Sequence, residues 1–477
     1  MYDVLIIGSG LGALESALLL TRQGYSVLVL ERQHQAGGCL QSYKRGGLSL
    51  DTGLHYVGGL AEGQTLHDTF EQLGLLALPW KQLPLDNFDT VTICGDSYHL
   101  RQGYDNFVEG LAEHFPTQRQ ALRTYVDVLR QVDYAPATED SIMKWGTINA
   151  WQWLHETFTD ERLINVLSGT ALKMELCKET LPLFTFAHVT ASFIESSWRL
   201  DGDGNMLIGS LVNSIRQGGG EVICSVEVEE LIENDGLITA ARCSNGETYK
   251  ARTFISGIHP ALTTQLVKES TKIKKIYRGR MQRLDNTYGM FTASLKLKTE
   301  GEEHPQTTIG NHYIYTTEDV WTLSEKGHKG DGILISPQRS GNVDILSPML
   351  WEECEPWTDT TIGRRGNDYK EFKAKRANEL IALAETQMPG LSKRIETIYT
   401  STPLTWRDYN HTPNGSAYGI RKDYQQPLLT VLTPRTPVPN LFLTGQSLMV
   451  HGVQGTTMTA LATTREVSNF FVSQSNN

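Results

Sequence analysis

The chain has 477 residues, of which 39% are hydrophobic, and its formal net charge is −11. This length allows a large core and two domains, and the mean hydropathy of −0.30 fits a soluble globular protein. The absence of a basic stripe argues against nucleic-acid binding, and no apolar run reaches the ~18 residues that a membrane span needs.

The first predicted elements are a buried parallel strand at residues 3–7, a glycine turn, and a helix at residues 13–23 that Gly24 ends. A second strand at residues 26–30 ends at Glu31. A strand, a glycine turn, a helix and a terminal acid in this order are typical of a dinucleotide-binding unit. The sequence therefore predicts such a unit rather than a chance glycine turn.

Each residue of the glycine turn has a physical role in this prediction. Gly8 permits the tight turn, Gly10 lets the backbone approach a pyrophosphate, and Ala13 stands where a third glycine is usual and a small residue suffices. The helix N-terminus offers free amides to the diphosphate, and Glu31 is placed to hold the ribose hydroxyls. The cofactor contacts predicted from this unit are Gly8, Gly10, Leu11, Gly12, Ala13 and Glu31.

A second glycine segment follows the second strand and favours FAD over NAD. Arg32, a short spacer and the pair Gly37-Gly38 form a further backbone cradle, which nicotinamide dehydrogenases do not usually contain. Cys39 is interpreted as a small residue packed near the diphosphate rather than as a redox thiol. The cradle adds Arg32, Gly37, Gly38, Cys39 and Leu40 to the predicted FAD contacts.

Five further segments support a family resemblance, at residues 51–59, 402–405, 415–419, 440–447 and 451–457. With the two glycine segments, they resemble the FAD-dependent family of phytoene desaturases, carotenoid isomerases and retinol saturases, and more distantly the amine oxidases. The last two subgroups of that family match best. The resemblance covers nearly the whole chain and is weakest between Leu76 and Thr190.

The resemblance implies an α/β fold with a Rossmann-type FAD-binding domain and a discontinuous, mixed α+β substrate domain, in an amine-oxidase-like architecture. It assigns Val228 to backbone pairing with the adenine edge and Gly445 to a turn beside the flavin. Gly455 and Thr456 begin a final helix whose N-terminus points at the flavin pyrimidine ring, where the helix dipole stabilises negative charge.

The predicted FAD-binding domain is discontinuous, with pieces at residues 1–74, 198–260 and 436–477. Its second piece contains a helix and short strands, predicted at residues 206–217, 221–224, 228–232, 237–243 and 251–257. Residues 75–197 and 261–435 then form the predicted substrate domain.

Within the substrate domain, residues 75–197 are predicted to be mostly helical, most clearly at residues 107–132. Residues 289–315 and 332–351 are predicted to be rich in strands, and residues 370–387 form a further helix. Residues 51–59 of the first domain are predicted as a glycine-bounded strand.

Three side chains are candidates for a catalytic role. His55 and Tyr56 lie in a segment that the resemblance places close to the flavin, and His451 precedes the final helix. His55 is a candidate proton donor or orienting group, and His451 a candidate for contact with the substrate or the flavin edge. Each also has a plain structural interpretation, as a residue that fixes a loop or packs in the core.

The implied substrate is an apolar polyene, a carotenoid or a retinoid-like lipid, acted on at a carbon–carbon double bond by desaturation, saturation or isomerisation. Trp145, Trp151, Trp153 and Phe158 form an apolar group along the chain. This group is interpreted either as the lining of a tunnel for the substrate or as simple core packing. A second apolar group consists of Phe70, Leu73, Leu75, Leu76, Leu78 and Trp80. These side chains are interpreted either as a surface for peripheral membrane contact or as part of the core.

The six cysteines are scattered without paired spacing, which predicts reduced thiols and a cytoplasmic location, with peripheral membrane contact left open. The 13 histidines show no metal-ligand spacing, so no metal is predicted. The electron partner is left open. Two alternatives remain: an amine-oxidase-like flavoenzyme with a polar substrate, and a flavin-free relative that binds prenylated proteins, against which the intact glycine segments argue.

Overall fold

The computed structural model describes residues 1–135, 138–298, 310–325, 330–338 and 342–475. The strands are, in chain order, β1 (Tyr2–Ile7), β2 (Val27–Leu30), β3 (Ser42–Arg45), β4 (Leu48–Asp51), β5 (Val57–Gly58), β6 (Trp80–Gln82), β7 (Asp89–Ile93), β8 (Asp96–Leu100), β9 (Ser197–Leu200), β10 (Glu221–Ile223), β11 (Val228–Asn234), β12 (Leu237–Cys243), β13 (Thr248–Ser256), β14 (Gly289–Leu297), β15 (Asn311–Tyr315), β16 (Gly332–Pro337), β17 (Val343–Met349), β18 (Ile395–Ser401) and β19 (Leu441–Leu443).

The α-helices are, in chain order, α1 (Leu11–Arg22), α2 (His67–Leu73), α3 (Tyr104–Ala112), α4 (Arg119–Asp133), α5 (Glu139–Gly146), α6 (Ala150–Thr157), α7 (Glu161–Ser168), α8 (Leu183–Glu195), α9 (Gly204–Gln217), α10 (Pro260–Leu266), α11 (Lys275–Arg283), α12 (Gly366–Glu385), α13 (Leu391–Arg394), α14 (Pro403–Asn410), α15 (Pro427–Thr430) and α16 (Gly452–Ser475). Part of the predicted strand-rich stretch, at 299–309, and the tail at 476–477 lie outside the described residues.

The first large sheet joins the beginning and the end of the described chain. Its strand order is β10–β2–β1–β13–β12–β11, and β19 pairs with β13. Strand β1 runs parallel to both β2 and β13, and β19 is also parallel to β13. Four apolar residues of β1 and all of β2 are buried, as a parallel strand covered on both faces requires. The predicted strand–turn–helix–strand unit is confirmed to within two residues at each boundary.

The second large sheet has the order β18–β14–β17–β16–β15–β7–β8, and only its β15–β7 pair is parallel among the described strands. Strands β7 and β8 come from a stretch that we expected to be mostly helical, and that expectation is wrong for residues 80–100. The stretch predicted to be most clearly helical, at 107–132, consists of helices α3 and α4, with a short 3-10 turn at Pro116–Gln118 between them. Residues 52–56 are not a strand, because β4 ends before them and β5 begins after them.

The two predicted apolar groups lie in the core or pack against it as half-buried side chains. Phe70, Leu73 and Leu75 are fully buried, which excludes them from a membrane surface. Trp153 stacks on the buried ring of Tyr125, with ring centroids 5.8 Å apart, and none of the four bulky residues at 145–158 lines the cavity described below. The tunnel interpretation of these residues is therefore wrong. Within the described residues no helix combines the length and apolarity that crossing a bilayer requires.

Helices α1 and α16 pack together and hold the two ends of the chain in contact. A Cβ on Gly12 would lie 3.0 Å from Cγ2 of Thr456, so only glycine allows this approach without displacement. Glu15 is fully buried at the same interface and accepts a hydrogen bond from the hydroxyl of Thr457 at 2.9 Å. Burial raises the pKa of Glu15 to about 8.

Replacing Glu15 with glutamine is expected to change how stability depends on pH. Because the folded-state pKa lies above its ordinary value of 4.5, the stability that Glu15 contributes is complete below that value and lost as the pH rises through about 8. Each pKa unit corresponds to about 1.4 kcal/mol, so Glu15→Gln should be more stable than wild type by a few kcal/mol at about pH 9 and similar to it at about pH 5. Urea unfolding at both pH values tests this, with the exposed Glu71→Gln as control. Parallel pH curves for wild type and Glu15→Gln would contradict it.

Candidate functional site

One cavity is lined by residues of both large sheets and of the two chain ends. The residues predicted to contact the cofactor or to act in catalysis all line it: Gly8, Gly10, Leu11, Gly12, Ala13, Glu31, Arg32, Gly37, Gly38, Cys39, Leu40, His55, Tyr56, Val228, Gly445, His451, Gly455 and Thr456. The structure thus brings every predicted site residue to one place, although the role of each remains a prediction.

The first glycine turn forms an open cradle at one end of this cavity. Gly8 has a φ of +84°, which favours glycine, and a Cβ on Gly10 would meet no protein atom within 4 Å. Helix α1 begins directly after Gly10, without a side-chain cap on its first amides. The open space and the uncapped amides suit an anionic group such as a diphosphate.

Glu31 ties the first cradle to the second. Its carboxylate accepts hydrogen bonds from the amide and the hydroxyl of Ser9, at 2.9 and 2.6 Å, and from the amide of Gln33 at 2.7 Å. The hydroxyl and the carbonyl oxygen of Ser9 accept from the amide of Gly37, both at 3.1 Å. Gly38 lies against Gly10, since a Cβ on Gly38 would be 3.1 Å from its Cα. The two cradles therefore form one rigid wall.

Burial raises the pKa of Cys39 to about 12, so this residue of the second cradle is a neutral thiol at physiological pH. Its Sγ accepts a hydrogen bond from the side-chain amide of Asn410 at 3.7 Å. These facts agree with a packing role rather than a redox role.

The C-terminal segment closes the opposite side of the cavity. Strand β19 ends at Leu443, and a turn at Gly445, with a φ of +103°, leads toward α16. A Cβ on Gly455 would lie 2.4 Å from the carbonyl oxygen of Val450, so the N-terminus of α16 requires glycine there. The N-terminus of α16 thus faces the same cavity as the N-terminus of α1.

Comparisons with known proteins agree with this geometry. Residues 6–73 match the family model described as an NAD(P)-binding Rossmann-like domain. The chain is 24% identical to the all-trans-retinol 13,14-reductase of Rattus norvegicus, with 96% of this chain and 84% of the relative covered. It is 22% identical to prolycopene isomerase 2, chloroplastic, of an Oncidium hybrid cultivar, with 94% and 80% covered. Over nearly its whole length the chain is therefore similar to retinol saturases and carotenoid isomerases.

A solved structure confirms the fold. A putrescine oxidase double mutant superposes with a TM-score of 0.67 over 99% of both chains, at 13% identity. The α/β architecture with a Rossmann-like domain is therefore amine-oxidase-like, as the resemblance implied.

Beyond the two cradles, the same cavity continues into a chamber with mainly apolar walls. Side chains of helix α8, of the second sheet and of the segment before α8 form its walls. The main apolar ones are Leu172, Val189, Phe193, Met290, Leu334 and Leu346. The chamber and the cradles are continuous, so a molecule in the chamber can touch one held by the cradles.

The three catalytic candidates have different surroundings in this chamber. Burial lowers the pKa of both His55 and His451 to about 4, so both imidazoles are neutral at physiological pH. His55 Nδ1 is buried without a hydrogen-bond partner among the described residues, whereas His451 Nε2 lies 2.9 Å from the carbonyl oxygen of Lys173. The predicted role of His55 as a proton donor would have to use a neutral ring.

Tyr56 belongs to a buried polar cluster that the sequence analysis missed. Its hydroxyl donates to Asp89 at 2.5 Å and lies 2.9 Å from the hydroxyl of Tyr313. Lys173 donates to the same hydroxyl at 2.8 Å, and its Nζ is 3.6 Å from Asp89. Arg199 is linked to Asp89 through Asn311, by hydrogen bonds of 2.9 and 3.0 Å.

A second buried cluster lies between α4, α8 and α16. Asp133 accepts a hydrogen bond from Gln454 at 2.6 Å and lies 3.2 Å from Nδ1 of His188. His188 and Gln454 both line the cavity, and Nε2 of His188 has no partner among the described residues. No local sequence motif marks either cluster, because their members lie on elements that are far apart along the chain.

Proposed function

We propose that this protein is an FAD-dependent oxidoreductase that acts on carbon–carbon double bonds of an apolar polyene, a carotenoid or a retinoid-like lipid. The observation that carries the proposal is the single cavity in which a dinucleotide cradle opens directly into an apolar chamber. The reductase and isomerase names of its relatives point to the same class of substrate.

The residues present fit FAD. Gly10 and the N-terminus of α1 would hold the diphosphate from one side, and the pair Gly37-Gly38 from the other. The carboxylate of Glu31 would bind the ribose hydroxyls, and the backbone of Val228 the adenine. When bound, the flavin supplies hydride-transfer chemistry at its ring, and the N-terminal dipole of α16 would stabilise negative charge there.

The protein's own contribution to the reaction is binding, exclusion of water and placement of a proton. The apolar chamber would remove the polyene from water without polar recognition. Tyr418 and His451 line the cavity, with their ring centroids 4.7 Å apart, and would orient the polyene against the flavin site. The six cysteines are all free thiols, which supports a reducing compartment such as the cytoplasm.

The cofactor assignment gives a prediction at Gly10. Its φ of −63° suits alanine, and a Cβ there meets only open space, so Gly10→Ala should fold with a free energy of unfolding within about 0.5 kcal/mol of wild type. The same methyl group would stand in the diphosphate position, and FAD affinity should fall at least about tenfold, or 1.4 kcal/mol.

Urea unfolding of the apoprotein and titration with FAD measure both quantities. Gly209→Ala is the matched control, because a Cβ on Gly209 also meets no atom within 4 Å and Gly209 does not line the cavity. Equal FAD affinity of Gly10→Ala and wild type would place the diphosphate elsewhere.

Function is tested on the purified protein after reconstitution with FAD. Denaturation should release one FAD per chain, which excludes a flavin-free prenyl-binding relative. The reduced protein is then mixed anaerobically with a panel of retinoids and carotenoids, and loss or shift of their visible absorption reports reduction or isomerisation. Oxidation of amines, with no reaction of any polyene, would instead support an amine-oxidase-like function.

A further inference from the structure

Lys173 lines the chamber and carries a mostly buried ammonium group. Its side chain is 11% exposed, and its Nζ lies 3.8 Å from the ring centroid of Phe193, which also lines the chamber. The other charged residues that line the cavity, Glu31, Arg32 and Glu227, belong to its nucleotide half. A buried cation in an apolar wall is unfavourable unless it is paired, and Lys173 is paired with the buried carboxylate of Asp89, 3.6 Å from its Nζ. Such a pair costs desolvation, so its position beside the chamber makes it a candidate for a function.

Lys173 stands between the two segments that are predicted to flank the flavin. Its Nζ bonds to Tyr56 of the first segment, and its carbonyl oxygen lies 2.9 Å from Nε2 of His451 in the second. A group held at both points is fixed in position relative to the flavin site, which is the geometric requirement for an acid–base catalyst.

From this position we infer that Lys173 is the acid–base residue that gives a proton to, or takes one from, the polyene carbon next to the one that exchanges hydride. The inference rests on the proposed function. In the reducing direction, three bonds break: the π bond, one N–H bond of Lys173 and the bond that would hold the hydride on reduced flavin. Two C–H bonds form, one with that hydride and one with the proton, and the flavin would be left oxidised by two electrons. Lys173 is left as a neutral amine, and solvent protons restore it between turnovers. Desaturation runs the same steps in reverse.

The surrounding groups suit this role. The titratable and charged groups packed around Lys173 are Tyr56, Asp89, Arg199, Tyr313 and His451. Burial lowers the pKa of Lys173 to about 8, against the opposing effect of Asp89. Burial raises the pKa of Tyr56 well above its usual value, so this phenol stays neutral and serves to position the ammonium.

The first test uses a bound polyene as an electrostatic probe, without turnover. A retinoid is bound to the oxidised, FAD-loaded protein, and its visible absorption is followed from about pH 6 to about pH 10. We expect the absorption maximum to shift with a midpoint near pH 8 in wild type, because a conjugated chain responds to a charge beside it. Lys173→Met should lose the shift. Lys178→Met should keep it, because Lys178 is bonded to Asp319 at 2.7 Å and does not line the cavity.

The second test separates proton transfer from a structural role. Lys173→Arg keeps the positive charge beside Asp89, but a guanidinium does not release a proton in this pH range. Single-turnover reaction of the reduced protein with polyene should therefore slow by about 10²–10⁴-fold in both Lys173→Arg and Lys173→Met. In wild type the rate should fall as the pH rises through about 8, because the amine then has no proton to give.

The outcomes distinguish this inference from the function on which it rests. Wild-type rates in Lys173→Arg, or an absorption shift that persists in Lys173→Met, would overturn the role of Lys173 while leaving the polyene reaction established. If wild type and both variants bind no polyene at all, the proposed function itself is wrong, and the inference with it.

Discussion

Replacing Lys422 with methionine is expected to destabilise the protein by at least about 3 kcal/mol and to weaken FAD retention. The Nζ of Lys422 is buried and donates to the carbonyl oxygens of Thr430, Ser447 and Leu448, at 3.0, 2.8 and 2.9 Å. A buried acceptor that loses its hydrogen-bond donor costs about 1–3 kcal/mol, and methionine leaves three buried carbonyls without this donor. Two of them follow the turn at Gly445, so the wall that faces the predicted flavin should loosen.

The pH dependence of this effect has a definite sign. Burial lowers the pKa of Lys422 from its ordinary 10.5 to about 7. The unfolded chain therefore binds more protons between these values, and the stability contributed by Lys422 rises with pH across that window. The difference between wild type and Lys422→Met should be larger at about pH 9 than at about pH 6.

Urea unfolding at the two pH values, together with FAD release on dilution, measures these effects. Lys81→Met is the control, because its side chain is 72% exposed and should change stability by no more than about 0.5 kcal/mol. If Lys422→Met changes the free energy of unfolding by an equally small amount, the hydrogen bonds from Lys422 to the three carbonyl oxygens do not hold the C-terminal wall.

The nucleotide end of the site could be predicted from sequence because its determinants are local. Gly8 to Glu31 form one continuous strand–turn–helix–strand unit, and each glycine in it has a conformational reason that the sequence alone reveals. The C-terminal wall was predicted by resemblance, since Gly445 and Gly455 keep a recognisable pattern. All these residues do line one cavity.

The hairpin of β7 and β8 was missed, although a local signal marks it. Cys94 and Gly95 both have positive φ, of 50° and 101°, and they form a two-residue turn between strands of equal length. The apolar content of the flanking helices outweighed this signal. Correct placement of β7 would have put the fully buried Asp89 at the start of a strand.

The polar cluster around Asp89 could not be predicted from sequence, for a physical reason. Tyr56, Asp89, Lys173 and Tyr313 lie on separate elements, and only tertiary packing brings them within hydrogen-bonding distance. A charged residue in a sequence is usually at the surface, and nothing local distinguishes the few that are buried in pairs.

Replacing Asp89 is expected to destabilise the protein more than replacing Lys173, its partner in the buried pair. Asp89→Asn leaves two buried cations, Lys173 and Arg199, without their carboxylate, and loss of one partner of a buried ion pair costs about 3–5 kcal/mol. Lys173→Met should cost less, because the carboxylate keeps its bonds from Tyr56 and Asn311 and the nearby charge of Arg199.

The double variant decides whether charge balance is the cause. In Asp89→Asn, the further change Lys173→Met removes an uncompensated cation, so the double variant should be no less stable than Asp89→Asn alone, although it has lost two native side chains. Urea unfolding of the four proteins gives the cycle, and Asp86→Asn serves as the exposed control. Additive losses would mean that Lys173 and Asp89 contribute independently. Coupled losses would mean that Asp89 compensates an ammonium that would otherwise be buried without a counter-charge, as the position proposed for Lys173 requires.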